Sequence, residues 1–133
     1  SLGFSYDFVT GEITQNLDGQ SDTTFNNLIR RPKNALRLRA FYRPIDPLRI
    51  RLSAQWMDDR DDLFFNPANF FIAEGVTLDS YFLLNAYIEY ALLDGQLNLF
   101  ADLKNITDSD FNEVYGFSGL NFNAQFGLRL NID

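Results

Sequence analysis

The sequence predicts an all-β chain, an antiparallel up-and-down meander of about six strands, and three observations predict it. Apolar residues recur at every second position through six separate stretches, the pattern of strands that show one face to water and hide the other. Those stretches are separated alternately by long polar connections and by very short turns. The 14 Phe, 6 Tyr and 1 Trp favour pleated structure, and no helical period competes with it.

Taken in order, Leu2, Phe4, Tyr6 and Phe8 alternate with Gly3, Ser5 and Asp7, which makes 2–9 the first strand. The connection 12–34 is rich in Asn, Asp and Gly, residues that satisfy their own backbone in turns. In 35–43, Leu36, Leu38, Ala40 and Tyr42 oppose Arg37, Arg39, Phe41 and Arg43, and Pro44, Asp46 and Pro47 close the strand. In 48–56, Leu48, Ile50, Leu52, Ala54 and Trp56 oppose Arg49, Arg51, Ser53 and Gln55. A second long polar connection, 57–77, precedes the strand 82–92, where Phe82, Leu84, Ala86, Ile88 and Tyr90 share a face. Asp94 and Gly95 signal a tight hairpin into 97–104. The third long connection, 105–120, leads to 122–132, whose even positions are all apolar.

Composition narrows the functional classes. The chain has no cysteine and no histidine, so thiolate nucleophiles, histidine bases and histidine metal ligands are excluded. Paired carboxylates abound in so acidic a chain, but without a defined cleft none qualifies as a catalytic pair, and no Gly-rich phosphate loop or metal-ligand spacing appears. An enzyme is not expected, nor is a cofactor. A net charge of -7 argues against a nucleic-acid partner.

Two environments remain for a sheet with a greasy face. A soluble β-barrel ligand-binding protein would turn that face into its core. A transmembrane β-barrel would turn it to lipid, and such barrels have short periplasmic turns, long outer loops and strands of about ten residues. The segregation of long and short connections, and the absence of charge from the apolar parity, favour the lipid bilayer of the outer membrane. Tyr42, Trp56, Tyr81 and Tyr90 are the candidate interfacial aromatics. Six strands are fewer than the eight of the smallest single-chain barrels, so the chain is expected to be a segment of a larger one. A subunit giving its strands to an oligomeric pore is the remaining rival.

From Arg31 onward the order of motifs resembles the C-terminal part of the 22-stranded barrel of TonB-dependent outer-membrane receptors. The resemblance is carried by Arg31 and Pro32 before 35–43, by Trp56 to Asp62 with its Arg60 and Asp61 pair, by Tyr81 to Tyr90, and by Leu103, Lys104, Asn105, Ile106, Thr107 and Asp108, which is similar to the family's Asn-Leu-Phe-Asp element. Asn85 stands where the family commonly has Asp, and the chain ends at Ile132 and Asp133 without the family's terminal aromatic, so the last strand is expected to continue. The resemblance implies energy-coupled uptake of a scarce nutrient, an iron chelate, cobalamin-like cofactor or glycan. It also implies that the remaining strands, the plug domain and the TonB box that couples to TonB belong to parts of the receptor outside 1–133.

Site candidates follow from parity and position. Arg37, Arg39, Arg43, Arg49, Arg51, Asn85, Glu89, Asp102, Lys104 and Arg129 fall on the polar parity and are expected to face the lumen or the plug, whose carboxylates would pair with the arginines. Asp58, Asp59, Asp61 and Asp62 read as a solvated acidic outer loop, lacking the glycine and distal glutamate of a calcium loop. Phe64, Phe65, Phe70 and Phe71 form a candidate ligand lid in the same loop.

Overall fold

The computed structural model describes residues 1–11, 13–15, 23–25, 28–70 and 72–131. Six strands build the main sheet: β1 (Leu2–Phe8), β4 (Asn34–Ile45), β5 (Leu48–Met57), β8 (Tyr81–Leu92), β9 (Leu97–Lys104) and β12 (Asn123–Leu130). They pair in that order, each antiparallel to the next. The meander expected from the alternation is therefore the observed topology.

Register turns the local alternation into two continuous faces. Leu2 lies opposite Ala40, Ala40 opposite Leu52, Leu52 opposite Ala86, Ala86 opposite Leu103, and Leu103 opposite Ala124. That uncharged row crosses all six strands without a break. On the other face Phe41, Arg51, Tyr87, Asp102 and Gln125 make the matching polar row. A slip of one residue in any pair would exchange the two faces.

Among the described residues nothing covers the apolar face. Phe4 is 69% exposed and Phe126 74%, and the chain's surface is 9350 Å². A compact monomer of 15.3 kDa would expose only about 7,100 Å². Among the described residues β1 and β12 do not pair with each other, so the sheet has two free edges. A closed soluble barrel, the bland reading of the same alternation, is not formed.

Three differences from the sequence reading have physical causes. The polar connections carry hairpins of their own: β2 (Ile13–Gln15) with β3 (Thr23–Phe25), β6 (Arg60–Asn66) with β7 (Ile72–Leu78), and β10 (Asn112–Val114) with β11 (Phe117–Ser118). In β6 the acidic residues disguise a strand whose Leu63, Phe64 and Phe65 favour extended backbone. The turn after β8 is longer than a two-residue hairpin, because Leu92 pairs with Leu97 and the chain turns through Leu93, Asp94 and Gly95, all at positive φ. Pro44 has no N–H for the ladder, and the β4–β5 register shifts between Tyr42 and Ile45.

The two short turns lie at one end of the sheet and the hairpin-bearing connections at the other. Tyr6, Trp56 and Phe82 mark the apolar face near the hairpin end, and Tyr42 and Tyr90 mark it near the turn end. Tyr81 departs from the expected girdle. Its odd parity turns it inward, where it is buried against Phe111 at 4.9 Å.

In a bilayer, replacing Leu84 or Ile88 by Arg should destabilise the barrel by about 2–4 kcal/mol near the midplane. The same change at Asn85, on the opposite face, should be far milder, as measured by equilibrium unfolding of the full-length protein from lipid vesicles.

Candidate functional site

The polar face is a network whose members come from neighbouring strands. Glu89, buried on β8, accepts from Arg49 at 3.0 Å on Oε1 and from the Tyr87 hydroxyl at 2.9 Å on Oε2, the oxygen that Arg129 also approaches at 3.7 Å. Arg37 pairs with Asp7 across β1 and β4, and Lys104 pairs with Asp102 at 3.1 Å. These arginines and this lysine take their carboxylates from the sheet itself, so the expectation that a plug must neutralise them is not needed for them. Among the described residues Arg43 finds its partner in the short turn. It clamps the short turn, donating to the Asp46 carbonyl at 3.1 Å and lying 3.2 Å from its carboxylate.

Arg39 and Arg51 line a concavity of about 440 Å³ on this face, together with Ser53, Asn85, Tyr87 and Lys104. The Arg51 guanidinium sits 5.1 Å from the centre of the Tyr87 ring, a cation–π arrangement that limits its freedom. Tyr87 in turn stacks on Phe100 at 6.0 Å. Phe100 lies over Gly127, where a Cβ would fall 2.4 Å from its ring, so the close approach requires glycine. Asn85 offers its side-chain carbonyl to the Asn105 N–H at 2.9 Å and its amide to Ser53 at 3.4 Å. An Asn serves the acceptor role at that position as a carboxylate would.

At the hairpin end, three connections are tied by one carboxylate. Asp62 on β6 has no solvent exposure. Its Oδ1 accepts from Arg30 Nε at 2.7 Å and from the Leu63 N–H at 2.8 Å, and its Oδ2 accepts from the Tyr115 N–H at 2.8 Å. Burial alone would raise its pKa, but the hydrogen bonds from Tyr115, Arg30 and Leu63 outweigh that and hold it below the ordinary carboxylate value. Arg60, also buried, donates to the Asn112 carbonyl at 2.6 Å and lies over the Tyr81 ring at 4.9 Å. The solvated acidic loop is thus corrected at Asp62, which is a buried tie.

The other acidic residues behave differently. A hydrogen bond from Asn34 holds Asp58 below the usual range, whereas the side-chain hydrogen bond with Asp58 lifts Asp59. Asp61 contributes its carbonyl, which accepts from the Arg30 N–H at 2.7 Å. The three described phenylalanines of the candidate lid take separate places. Phe64 packs on Tyr115 at 5.0 Å, Phe65 takes the opposite face of β6, and Phe70 lies at the hairpin tip, 94% exposed. Phe71 lies outside the described residues.

No protein-family model matches the sequence, and no curated protein matches it. Among solved structures, the receptor in the FpvAI–pyocin S2 complex matches with a TM-score of 0.71 over 97% of this chain. The ferripyoverdine receptor of the outer membrane of Pseudomonas aeruginosa, bound to ferripyoverdine, matches with a TM-score of 0.65 over 96%. Both are TonB-dependent receptors. The chain shares the fold of their barrel wall. Identity is 17% in each case, and the chain spans 16% of the first receptor and 17% of the second. The likeness is therefore one of architecture, with the strand order and the open edges of the sheet fitting a wall segment.

Asn105 enters the sequence analysis only within the element similar to Asn-Leu-Phe-Asp and without a role, since its partners Asn85 and Leu120 lie 20 and 15 residues away. At φ 49 it turns the chain out of β9. Its amide donates to the Ser109 and Leu120 carbonyls, and its carbonyl accepts from the Ser109 N–H. The similarity to the Asn-Leu-Phe-Asp element was the available signal.

Replacing Asp62 by Asn should loosen all three connections together, at a cost of about 1–3 kcal/mol, since buried donors lose a charged acceptor. The depressed folded pKa means that Asp62 stabilises above the unfolded value of about 3.9 and loses that contribution as pH falls through its folded value. Limited proteolysis of the full-length protein should show loop cleavage rising below about pH 4 in the wild type. In the Asp62→Asn variant cleavage should already be elevated at neutral pH.

Proposed function

We propose that this chain forms part of the wall of a TonB-dependent outer-membrane receptor that imports a scarce nutrient, without chemistry of its own. The single observation that carries the reading is the apolar face, six strands wide, uncharged and uncovered, on a sheet with two free edges. Left in water, such a face would cost tens of kcal/mol, at about 1.5–3 kcal/mol for each large side chain. Lipid removes that cost, and further strands satisfy the edges. The likeness in fold to two outer-membrane receptors supports the same assignment.

The partners follow from this reading: the outer-membrane bilayer on the apolar face, the remaining barrel strands on β1 and β12, a plug domain on the polar face, and TonB through a part of the receptor outside this segment. An iron chelate, a cobalamin-like cofactor or a glycan is the class of cargo. The acidic, aromatic hairpins lie at the end where cargo would enter, and the short turns face the periplasm.

This segment has no cysteine of its own, so single cysteines placed in it, read against the unsubstituted receptor, report its orientation. A cysteine at Phe70 or Phe117, both strongly exposed, should react with a membrane-impermeant maleimide on intact cells. One at Asp94 should react only after the outer membrane is opened. The reverse pattern would invert the topology, and equal reaction at all three would remove the wall from the membrane.

A further inference from the structure

The charges on the polar face do not all cancel. Asp7, Glu89 and Asp102 are each engaged, by Arg37, by Arg49 with Arg129, and by Lys104. Among the described residues Arg39 and Arg51 meet no carboxylate. They are nonetheless neighbours: Arg39 lies opposite Ser53, and Arg51 is two residues along β5 on the same face. Such diagonal pairs stand about 7–8 Å apart, within reach of two guanidinium groups closing on one anion.

The surroundings are those of a site. Arg39, Arg51 and Ser53 line the same concavity of about 440 Å³, whose one acidic lining residue, Asp102, is paired with Lys104, also in the lining. Tyr87 steadies the Arg51 guanidinium from one side. Ser53 Oγ accepts from Asn85 at 3.4 Å, which leaves its hydroxyl proton to donate into the concavity. Phe41 and Tyr87 supply aromatic walls, suited to the apolar body of an organic acid.

We propose that Arg39, Arg51 and Ser53 form a carboxylate-binding site on the inner wall. The proposal rests on the wall reading and deepens it. Each guanidinium presents a planar fork that matches a carboxylate in two hydrogen bonds, and the serine hydroxyl adds a third donor. The carboxylate belongs either to a free organic acid in the lumen or to an acidic side chain of the same receptor folded against the wall.

The test uses the full-length protein extracted in mild detergent at low salt, with citrate as the probe in calorimetric titration. If the carboxylate is free, wild type binds citrate, R39Q/R51Q binds it about ten-fold more weakly or worse, and R37Q, whose partner is Asp7, binds as wild type. If the carboxylate is the receptor's own, citrate does not bind, and carbodiimide treatment of R39K/R51K yields a zero-length link to an acidic peptide outside this segment. Citrate binding unchanged in R39Q/R51Q overturns the proposal. So does the absence of both citrate binding and any link, or a link confined to Asp102. The wall reading fails on a different measurement, cysteine labelling of intact cells, so the two outcomes are separable.

Discussion

Cross-strand register is the constraint on which this structure depends. Side chains alternate along each strand, so a greasy face exists only if every neighbouring strand is set in phase. The row from Leu2 to Ala124 shows all five pairings in phase at once. Backbone hydrogen bonding and side-chain sorting then reinforce each other. The ladder satisfies the backbone N–H and C=O groups of neighbouring strands, while the phase keeps Arg37, Arg49 and Glu89 off the apolar face.

That sorting explains how the polar face can hold so many charges. Pairs such as Arg49 with Glu89 are formed between adjacent strands, in the same ladder that builds the wall. The close fit of Phe100 over Gly127 and the stack of Tyr87 on Phe100 carry this order toward β12. At the hairpin end the logic changes from alternation to long-range ties. Asp62 gathers Arg30 and Tyr115 from two other connections, so the three hairpin-bearing connections form one unit rather than three independent loops.

These two regimes also account for what the sequence could and could not reveal. The six main strands were legible because period-two alternation is local, and their bounds differ from the reading by at most two residues, as with Ile45 for a strand expected to end at Arg43. The polar set was legible for the same reason. The role of Asp62 was not, because its partners lie 32 and 53 residues away and an acidic run looks solvated until they arrive. The strands β6 and β7 were hidden by composition, since Asp61 and Asp62 mask the extended preference of Leu63 to Phe65. Arg43 was placed on the right parity but serves the turn, a local ion pair that alternation alone does not distinguish.

The central claim is that even positions of β8 face hydrocarbon and odd positions face a polar lumen. Site-directed spin labelling along 82–90 in the full-length protein, in lipid vesicles, reads it directly, because oxygen partitions into lipid and a nickel chelate stays in water. The account predicts oxygen accessibility that peaks at 84, 86 and 88 and falls at 85, 87 and 89, a strict period of two. Low accessibility to both reagents at the even positions, as in a dry protein core, would contradict it.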